Sequence, residues 1–236
     1  MKPPTPQKLF SKAHGFIFIV FVLLSTGFRI NTNATWDVAK SDPTVWLDVD
    51  GEITTETFAD ISFPDAETSL DNVASNAQIL TVIRWIISDY NNIATSYLRL
   101  ALPSETDPSL DSSIAAYNSG GRSIEVVFGS PSAAAASGYA TTTRENSYIT
   151  GCKIVLSRQL LKYAKSFKRT LTHEIGHCFG LMHTHADQQS IMSYSSESGL
   201  HTLGTDDLSG ITFLYPKEKE YAAEVATLGM ACARNE

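Results

Sequence analysis

Residues 173–183 constrain this chain more than any other segment, because their sequence is His-Glu-Ile-Gly-His-Cys-Phe-Gly-Leu-Met-His. On a helix, His173 and His177 project from one face, where two imidazoles can hold one Zn²⁺. Gly180 can leave the helix with a positive φ and turn His183 back as a third ligand. Three protein ligands leave a fourth position open, which is typical of a catalytic rather than a structural zinc site.

Glu174 follows the first of these histidines and can take a proton from a water molecule at the metal. The five-residue pattern H-E-x-x-H alone also occurs by chance on solvated helices. Its extension to Gly180 and His183, together with Met192 downstream, favours the metal site over that interpretation. We therefore predict that the three histidines bind one Zn²⁺ and that Glu174 is the catalytic base.

The segment Ser190-Ile191-Met192-Ser193-Tyr194 resembles the Met-turn of the metzincin clan of zinc metallopeptidases. In that clan the methionine, here Met192, lies beneath the three histidines as an apolar floor and does not bind the metal. A tyrosine two residues later is similar to the astacin and serralysin versions, where it approaches the zinc or the reacting oxyanion. The resemblance makes Tyr194 a candidate catalytic residue, with a ring that only packs the turn as the alternative.

Residues 203–216 resemble the closing helix of the matrixins, a metzincin family, and include the paired aspartates Asp206 and Asp207. The similarity extends over residues 43–216 in the matrixin order. It implies a zinc-dependent endopeptidase. The chain contains no Pro-Arg-Cys-Gly motif, so the resemblance does not extend to the cysteine-switch latency of matrixins.

Hydrophobic patterning predicts one α+β domain over residues 35–216. Alternation at residues 44–51 indicates a strand, and apolar residues at three- and four-residue steps indicate a helix over residues 70–94. Further strands are predicted at 96–102, 123–129, 139–143 and around 154–156. Resemblance to the matrixins implies one mixed, mostly parallel five-stranded sheet, an active-site helix and a closing C-terminal helix.

The same resemblance makes residues 139–143 the antiparallel edge strand above the substrate cleft. An extended peptide would add to this edge as a further strand. The predicted substrate-pairing residues are Ala140, Thr141, Thr142 and Thr143. Two other histidines are not predicted to bind the metal. The G-x-x-H spacing selects His183 over His185 as the ligand, so His185 is expected at the rim of the site. His201 is expected at the surface or lining a pocket.

The N-terminal 34 residues are predicted to hold a secretory signal and the start of the mature chain. Lys2, Lys8 and Lys12 precede the apolar run at residues 15–24. This run is short for a membrane-spanning helix of about 20 residues, although an uncleaved anchor is an open alternative. Small residues at 25–27 and 32–34 offer two candidate cleavage sites. We expect an exported protein, secreted, periplasmic or at the cell surface, with residues 217–236 as a solvated tail.

Three cysteines, Cys152, Cys178 and Cys232, allow at most one intramolecular disulfide. Cys152 shares strand parity with the apolar Ile154, and Cys178 points roughly 100° or more around the helix from His177. These two are therefore the predicted pair, with two buried thiols as the alternative. Cys232 is expected to be incidental.

A formal net charge of −7 argues against a nucleic-acid-binding surface and is compatible with Ca²⁺ sites without predicting one. We expect a monomer whose partners are protein or peptide substrates, with no stable membrane partner unless the N-terminal segment is uncleaved. The alternative functions are a catalytically inactive binding module with the same fold and a zinc amidase or esterase for non-peptide substrates. Glu174 argues against the inactive module.

Overall fold

The structure, a computed structural model, describes residues 29–30, 35–51, 53, 79–103, 122–130, 137–184, 187–194 and 200–218. Most of the predicted signal segment, the start of the predicted helix over 70–94, His185 and Cys232 lie outside these residues. Within them, no helix is long and apolar enough to cross a membrane.

The described residues form eight strands, three α-helices and one 3-10 helix. The strands are β1 (Arg29–Ile30), β2 (Thr35–Trp36), β3 (Thr44–Val49), β4 (Arg99–Ala101), β5 (Ser123–Gly129), β6 (Gly138–Glu145), β7 (Tyr148–Ser157) and β8 (Leu181–Met182). The α-helices are α1 (Ile79–Asn91), α2 (Ala164–Cys178) and α3 (Thr205–Leu214), and the 3-10 helix spans Arg158–Lys162.

Six of the strands form one mixed sheet. Its main order is β4-β3-β5-β7-β6, and β2 pairs with the first residues of β7. Within this sheet β6 pairs antiparallel with β7, and the other described pairs are parallel. The predicted mixed, mostly parallel sheet of an α+β domain is therefore confirmed.

The predicted count of five strands is wrong, because β2 adds a sixth. Two residues are too few to show the alternation by which a strand is recognised. β2 is held instead by Trp36, whose indole N–H donates to the carbonyl oxygen of Cys178 at 2.9 Å. The strand predicted at 96–102 is also shorter than expected, and the strand around 154–156 is longer.

Helix α1 buries one face, as the three- and four-residue spacing of its apolar side chains predicts. Its buried residues are Ile79, Val82, Ile83, Ile86 and Tyr90. The Tyr90 hydroxyl donates to the carbonyl oxygen of Thr172 in α2 at 2.8 Å. The buried Lys168 adds an ion pair from α2 to Asp89 at 3.1 Å. These contacts fix α2, the helix that carries the H-E-x-x-H motif, against α1.

A disulfide joins α2 to the sheet. Cys152 in β7 and Cys178 at the end of α2 are both buried, and their Cα atoms are 5.7 Å apart. This separation lies within the usual range for disulfides, about 4.4–6.8 Å. The last turn of the motif helix is therefore covalently attached to β7.

A second, two-stranded sheet lies at the end of the motif. Strand β1 pairs antiparallel with β8, with Arg29 opposite Met182 and Ile30 opposite Leu181. The N-terminal segment of the described chain therefore lies directly beside the residue that precedes His183.

Candidate active site

Three histidine side chains converge at the end of α2. His173 and His177 project from the same face of this helix, and Gly180 ends it with a φ of 95°. The chain then turns through β8 and brings His183 back to the first two. The Nε2 atom of His183 lies 3.0 Å from that of His173 and 3.1 Å from that of His177. These three residues can hold a metal ion.

The hydrogen bonds of the Nδ1 atoms show that the converging Nε2 atoms of His173 and His177 are suited to bind a cation. Nδ1 of His173 lies 2.7 Å from the carbonyl oxygen of Ile191, and Nδ1 of His177 lies 2.9 Å from that of Leu181. A carbonyl oxygen only accepts, so each Nδ1 carries the hydrogen and each Nε2 presents a lone pair. Facing lone pairs repel unless a cation lies between them. Tetrahedral Zn²⁺ with bonds of about 2.0–2.1 Å separates its nitrogen ligands by about 3.3 Å, close to the spacing here.

The same environment keeps the imidazoles neutral. Burial lowers the pKa of His173 to about 4, with a further contribution from His177. Burial also lowers the pKa of His177. A metal ligand must present a neutral imidazole, so this electrostatic environment prepares both side chains for binding at neutral pH.

The Met192 side chain packs against Gly176, which lies between His173 and His177 in α2. A Cβ atom at Gly176 would lie 2.5 Å from the Met192 sulfur, so the absence of a side chain at Gly176 makes room for the methionine in this position. Met192 is buried, and its carbonyl oxygen accepts from the N–H of Thr184, next to His183. The methionine therefore contacts the helix between two histidines, while its backbone holds the segment of the third.

Asp207 holds this turn from α3, a role that sequence reasoning missed. Its buried carboxylate accepts from the Ser190 hydroxyl at 2.5 Å and from the N–H groups of Ile191 at 2.7 Å and Met192 at 3.2 Å. It also accepts from the Gly204 N–H at 2.7 Å. Burial raises the pKa of Asp207, and these hydrogen bonds oppose the rise. The carboxylate thus fixes the turn whose Ile191 carbonyl oxygen lies at the ring of His173.

Glu174 lies beside the histidine cluster and under the edge strand. It is 6% exposed, and its carboxylate accepts from the backbone N–H of Ala140 in β6. Burial raises its pKa to about 7, and the hydrogen bond from Ala140 opposes that rise. A carboxyl group with a pKa near neutrality can both accept and release a proton under physiological conditions.

Residues 29–216, most of the chain, match the sequence profile of the Matrixin family. The chain belongs to the Matrixin family. Matrixins are zinc-dependent metallopeptidases, which act on proteins or peptides, and the three histidines of this matrixin fit that metal. No curated protein matches the chain.

Tyr194 of this matrixin is 65% exposed, and its ring lies against the third histidine. The ring centroids of His183 and Tyr194 are 4.1 Å apart, at an interplanar angle of 44°. Its backbone N–H donates to the carbonyl oxygen of Thr184 at 3.4 Å. The tyrosine ring therefore lies at the exposed rim of the histidine cluster.

His201 is buried, so the predicted surface position is wrong. It is also not among the described residues that line the pocket beside Glu174. The sequence could not predict this burial, because the segment that precedes α3 lacks the regular apolar periodicity that marks a buried face.

Strand β6 forms the described edge of the sheet beside the site. Ala140, Thr141, Thr142 and Thr143 pair with β7 on one side only, opposite Ile154, Lys153, Cys152 and Gly151 respectively. The N–H of Ala140 points away from β7, since it donates to Glu174. In an antiparallel strand the alternate residues share that direction, so the N–H of Thr142 also points outward.

A pocket of about 170 Å³ opens beside Glu174, between the start of β6 and the middle of α2. Its walls come from three segments: β6 and the residue before it, α2, and the Met-turn. The lining residues are Ser137, Gly138, Arg169, Thr170, His173, Glu174, Ile191 and Ser193. Gly138 lets β6 lie close to α2 at this point, since a Cβ there would meet the Thr170 side chain at 3.0 Å. Sequence reasoning missed Arg169, which lies one helical turn before His173.

Proposed function

We propose that this matrixin is an exported zinc-dependent endopeptidase in which His173, His177 and His183 bind the metal and Glu174 moves the protons. The observation that carries the proposal is the convergence of three Nε2 atoms, two of them with defined lone pairs, beside a buried carboxyl group. When bound, Zn²⁺ polarises the scissile carbonyl and makes water more acidic.

Glu174 acts first as the general base and then as the general acid. Its pKa of about 7 matches a group that takes a proton from water during attack. The protonated form then gives that proton to the amine that leaves when the peptide C–N bond breaks. The hydrogen bond from Ala140 orients the carboxyl group for both steps, and burial excludes bulk water.

The substrate backbone pairs with the outward-facing edge of β6. An extended peptide gains hydrogen bonds from alternate residues without any requirement on its sequence. Because Ala140 in this strand also contacts Glu174, pairing brings the peptide alongside the carboxyl group. Tyr194, at the rim beside His183, is placed to donate its hydroxyl to the tetrahedral oxyanion.

The test compares the wild type with Glu174→Gln on unfolded protein and on peptides, with bound zinc measured in each preparation. We expect activity to fall by about 10²–10⁴-fold in Glu174→Gln, because the proton carrier is lost, while zinc remains stoichiometric. Glu125→Gln, at an exposed carboxyl paired with Lys153, is the matched control and should retain activity.

His177→Ala should lose zinc and activity together, because it removes a ligand. Near-normal cleavage by zinc-loaded Glu174→Gln would contradict the role of Glu174. A zinc-loaded wild type that binds peptides without cleaving them would indicate the binding module, and cleavage of esters or non-peptide amides alone would indicate the amidase or esterase.

A further inference from the structure

One peptide group joins a buried carboxylate to the first histidine of the cluster. The carbonyl oxygen of Ile191 accepts from Nδ1 of His173 at 2.7 Å. The N–H of Met192, which belongs to the same planar peptide group, donates to the carboxylate of Asp207 at 3.2 Å. Asp207 and His173 therefore bind opposite ends of one peptide dipole. The carboxylate is separated by two hydrogen bonds from the ring whose Nε2 faces the other histidines.

The hydrogen bonds to Asp207 favour its charged form. They come from the Ser190 hydroxyl and from the N–H groups of Ile191, Met192 and Gly204. Donors of this kind stabilise a carboxylate relative to the neutral acid. Burial, and then the charge of Asp207, raise the pKa of Tyr90, whose hydroxyl lies 3.5 Å from the position of a Cβ atom at Gly176. Since Gly176 lies between His173 and His177, the field of the carboxylate reaches the part of α2 that carries both.

The two Nδ1 hydrogen bonds differ in the direction that this charge predicts. A negative group that binds the N–H end of a peptide polarises its carbonyl oxygen, and hydrogen bonds in a chain strengthen one another. Hydrogen bonds assisted by charge are also shorter than neutral ones. The bond from His173 to Ile191 measures 2.7 Å, whereas the bond from His177 to Leu181 measures 2.9 Å.

We propose that Asp207 is a positioning residue that orients His173 and makes its Nε2 a stronger metal ligand, acting through the peptide group between Ile191 and Met192. The inference rests on the proposed role of His173 as a zinc ligand. A histidine whose outer N–H donates to a carbonyl oxygen or a carboxylate is held in one tautomer and one orientation, and it is a more basic ligand. Here the carbonyl oxygen and the carboxylate act in series.

Asp207→Asn removes the charge and can retain the turn. The amide oxygen can accept from the N–H groups of Ile191 and Gly204, while the amide nitrogen donates to the Ser190 hydroxyl oxygen. The N–H of Met192 keeps an acceptor, since it also donates to the Ser190 hydroxyl at 3.1 Å. This variant therefore breaks the link from the charge to His173 with little loss of hydrogen bonds.

The experiment measures the zinc affinity of the full chain by competition with a chelator. We expect Asp207→Asn to weaken zinc binding about tenfold, the lower end of the range for groups that support a metal ligand. Asp187→Asn is the matched control: it removes a carboxylate that accepts from the Gln189 N–H and should leave the affinity unchanged. Ser190→Ala removes one hydrogen bond to Asp207 but keeps its charge, so its effect should be smaller than that of Asp207→Asn.

A second measurement reports on the peptide link directly. NMR spectra of the zinc-loaded chain with isotope-labelled histidine resolve the Nδ1 protons of the ligand rings. In the wild type we expect this proton of His173 to resonate downfield of that of His177, because its hydrogen bond is the stronger one. In Asp207→Asn it should move upfield while that of His177 stays in place. The wild-type comparison holds even if the variant folds poorly.

The outcomes are distinct for the two proposals. The role of Asp207 would be overturned by unchanged zinc affinity in Asp207→Asn, or by an equal loss in Ser190→Ala or Asp187→Asn. An Nδ1 proton of His173 that lies no further downfield than that of His177 would also overturn it, and each of these results leaves the peptidase intact. A wild type that binds no zinc, or undiminished zinc binding by His173→Ala, would instead overturn the proposed function, and this inference with it.

Discussion

The carboxyl group of Glu174 is subject to two opposed demands. The proposed role as general base requires its anion, whereas burial at 6% exposure favours the neutral acid and raises its pKa to about 7. A bound metal cation beside it favours the anion again. The buried carboxylate is therefore expected to destabilise the metal-free fold. Binding of zinc should reduce this free-energy cost, and such strained groups are common at catalytic positions.

Glu174→Gln should stabilise the metal-free chain at alkaline pH. The pKa of this carboxyl group is about 7 when folded and 4.5 as an unperturbed group, so the folded chain holds more protons between these values. Stability contributed by the wild-type group therefore falls as pH rises through this window. We expect the variant to gain about 2–3 kcal/mol in free energy of unfolding at pH 8 and almost none at pH 4. Urea denaturation at both pH values measures the difference, and an equal gain at both would contradict it.

Tyr194→Phe tests the hydroxyl group while retaining the ring that lies against His183. If the hydroxyl donates to the oxyanion, kcat should fall by about tenfold to a hundredfold, with KM and zinc content unchanged, because the contact exists in the transition state. Met192→Leu, of similar volume, should cost less than about 1.5 kcal/mol of stability. An unchanged kcat in Tyr194→Phe would limit the tyrosine to packing.

At the scale of elements, β6 pairs with β7 on one side and offers its other side as the proposed substrate edge. The carbonyl oxygen of Ser137 accepts from the N–H of Ser157 in β7 at 2.8 Å, whereas the N–H of Ala140 turns outward to Glu174. By this alternation Thr141 faces β7 and Thr142 faces the open edge. The backbone N–H groups of Thr141 and Thr142 therefore have different roles, although the two side chains are identical.

Proline substitutions should separate the N–H group that pairs with the proposed substrate from the one that pairs with β7. Thr142→Pro removes an outward N–H, and we expect KM to rise about fivefold, the equivalent of one hydrogen bond of about 1 kcal/mol, with folding retained. Thr141→Pro removes a donor that faces β7 and should instead lower thermal stability. Steady-state kinetics and thermal unfolding of both variants provide the measurement. Equal effects on KM at the two positions would show that β6 is not the substrate edge.

The elements also differ in how far their roles could be predicted. The positions of His173, His177 and Gly180 follow from helix geometry over a few residues, so the motif alone predicts their arrangement. Asp207 contacts the Met-turn across 15 to 17 residues of sequence, and only the packing of α3 brings it there. Arg169 looks like any helical cation until β6 closes the pocket around it.

Across the whole molecule, the disulfide connects α2, the helix that carries His173 and His177, to the mixed sheet. Cys152 and Cys178 are separated by 26 positions, so the bond restricts a loop of moderate length in the unfolded chain. Replacing both by alanine should lower the free energy of unfolding by about 3 kcal/mol. Because Cys178 points away from the histidines, zinc content should persist. Denaturant unfolding and metal analysis test this, with Cys232→Ala as the control, and loss of zinc would contradict it.

The sequence predicts the overall topology better than it predicts the two-residue strands. The long strands and α2 carry clear periodicity, and their order leads to a mixed sheet. The two-residue strands β1, β2 and β8 carry none, and their existence depends on distant partners such as Cys178 and Tyr215 around Trp36. Short strands of this kind become visible only when the helices and the sheet have already been placed.

Under the proposed export, pairing between β1 and β8 would make the position of signal cleavage matter for the fold. A cut after residue 27 leaves Arg29 and Ile30 in the mature chain, whereas a cut after residue 34 removes the strand that pairs with Leu181 and Met182. Leu181 accepts from the ring of His177, and Met182 directly precedes His183. Under the proposed export, the position of the cut would therefore affect how firmly His177 and His183, two of the proposed metal ligands, are held.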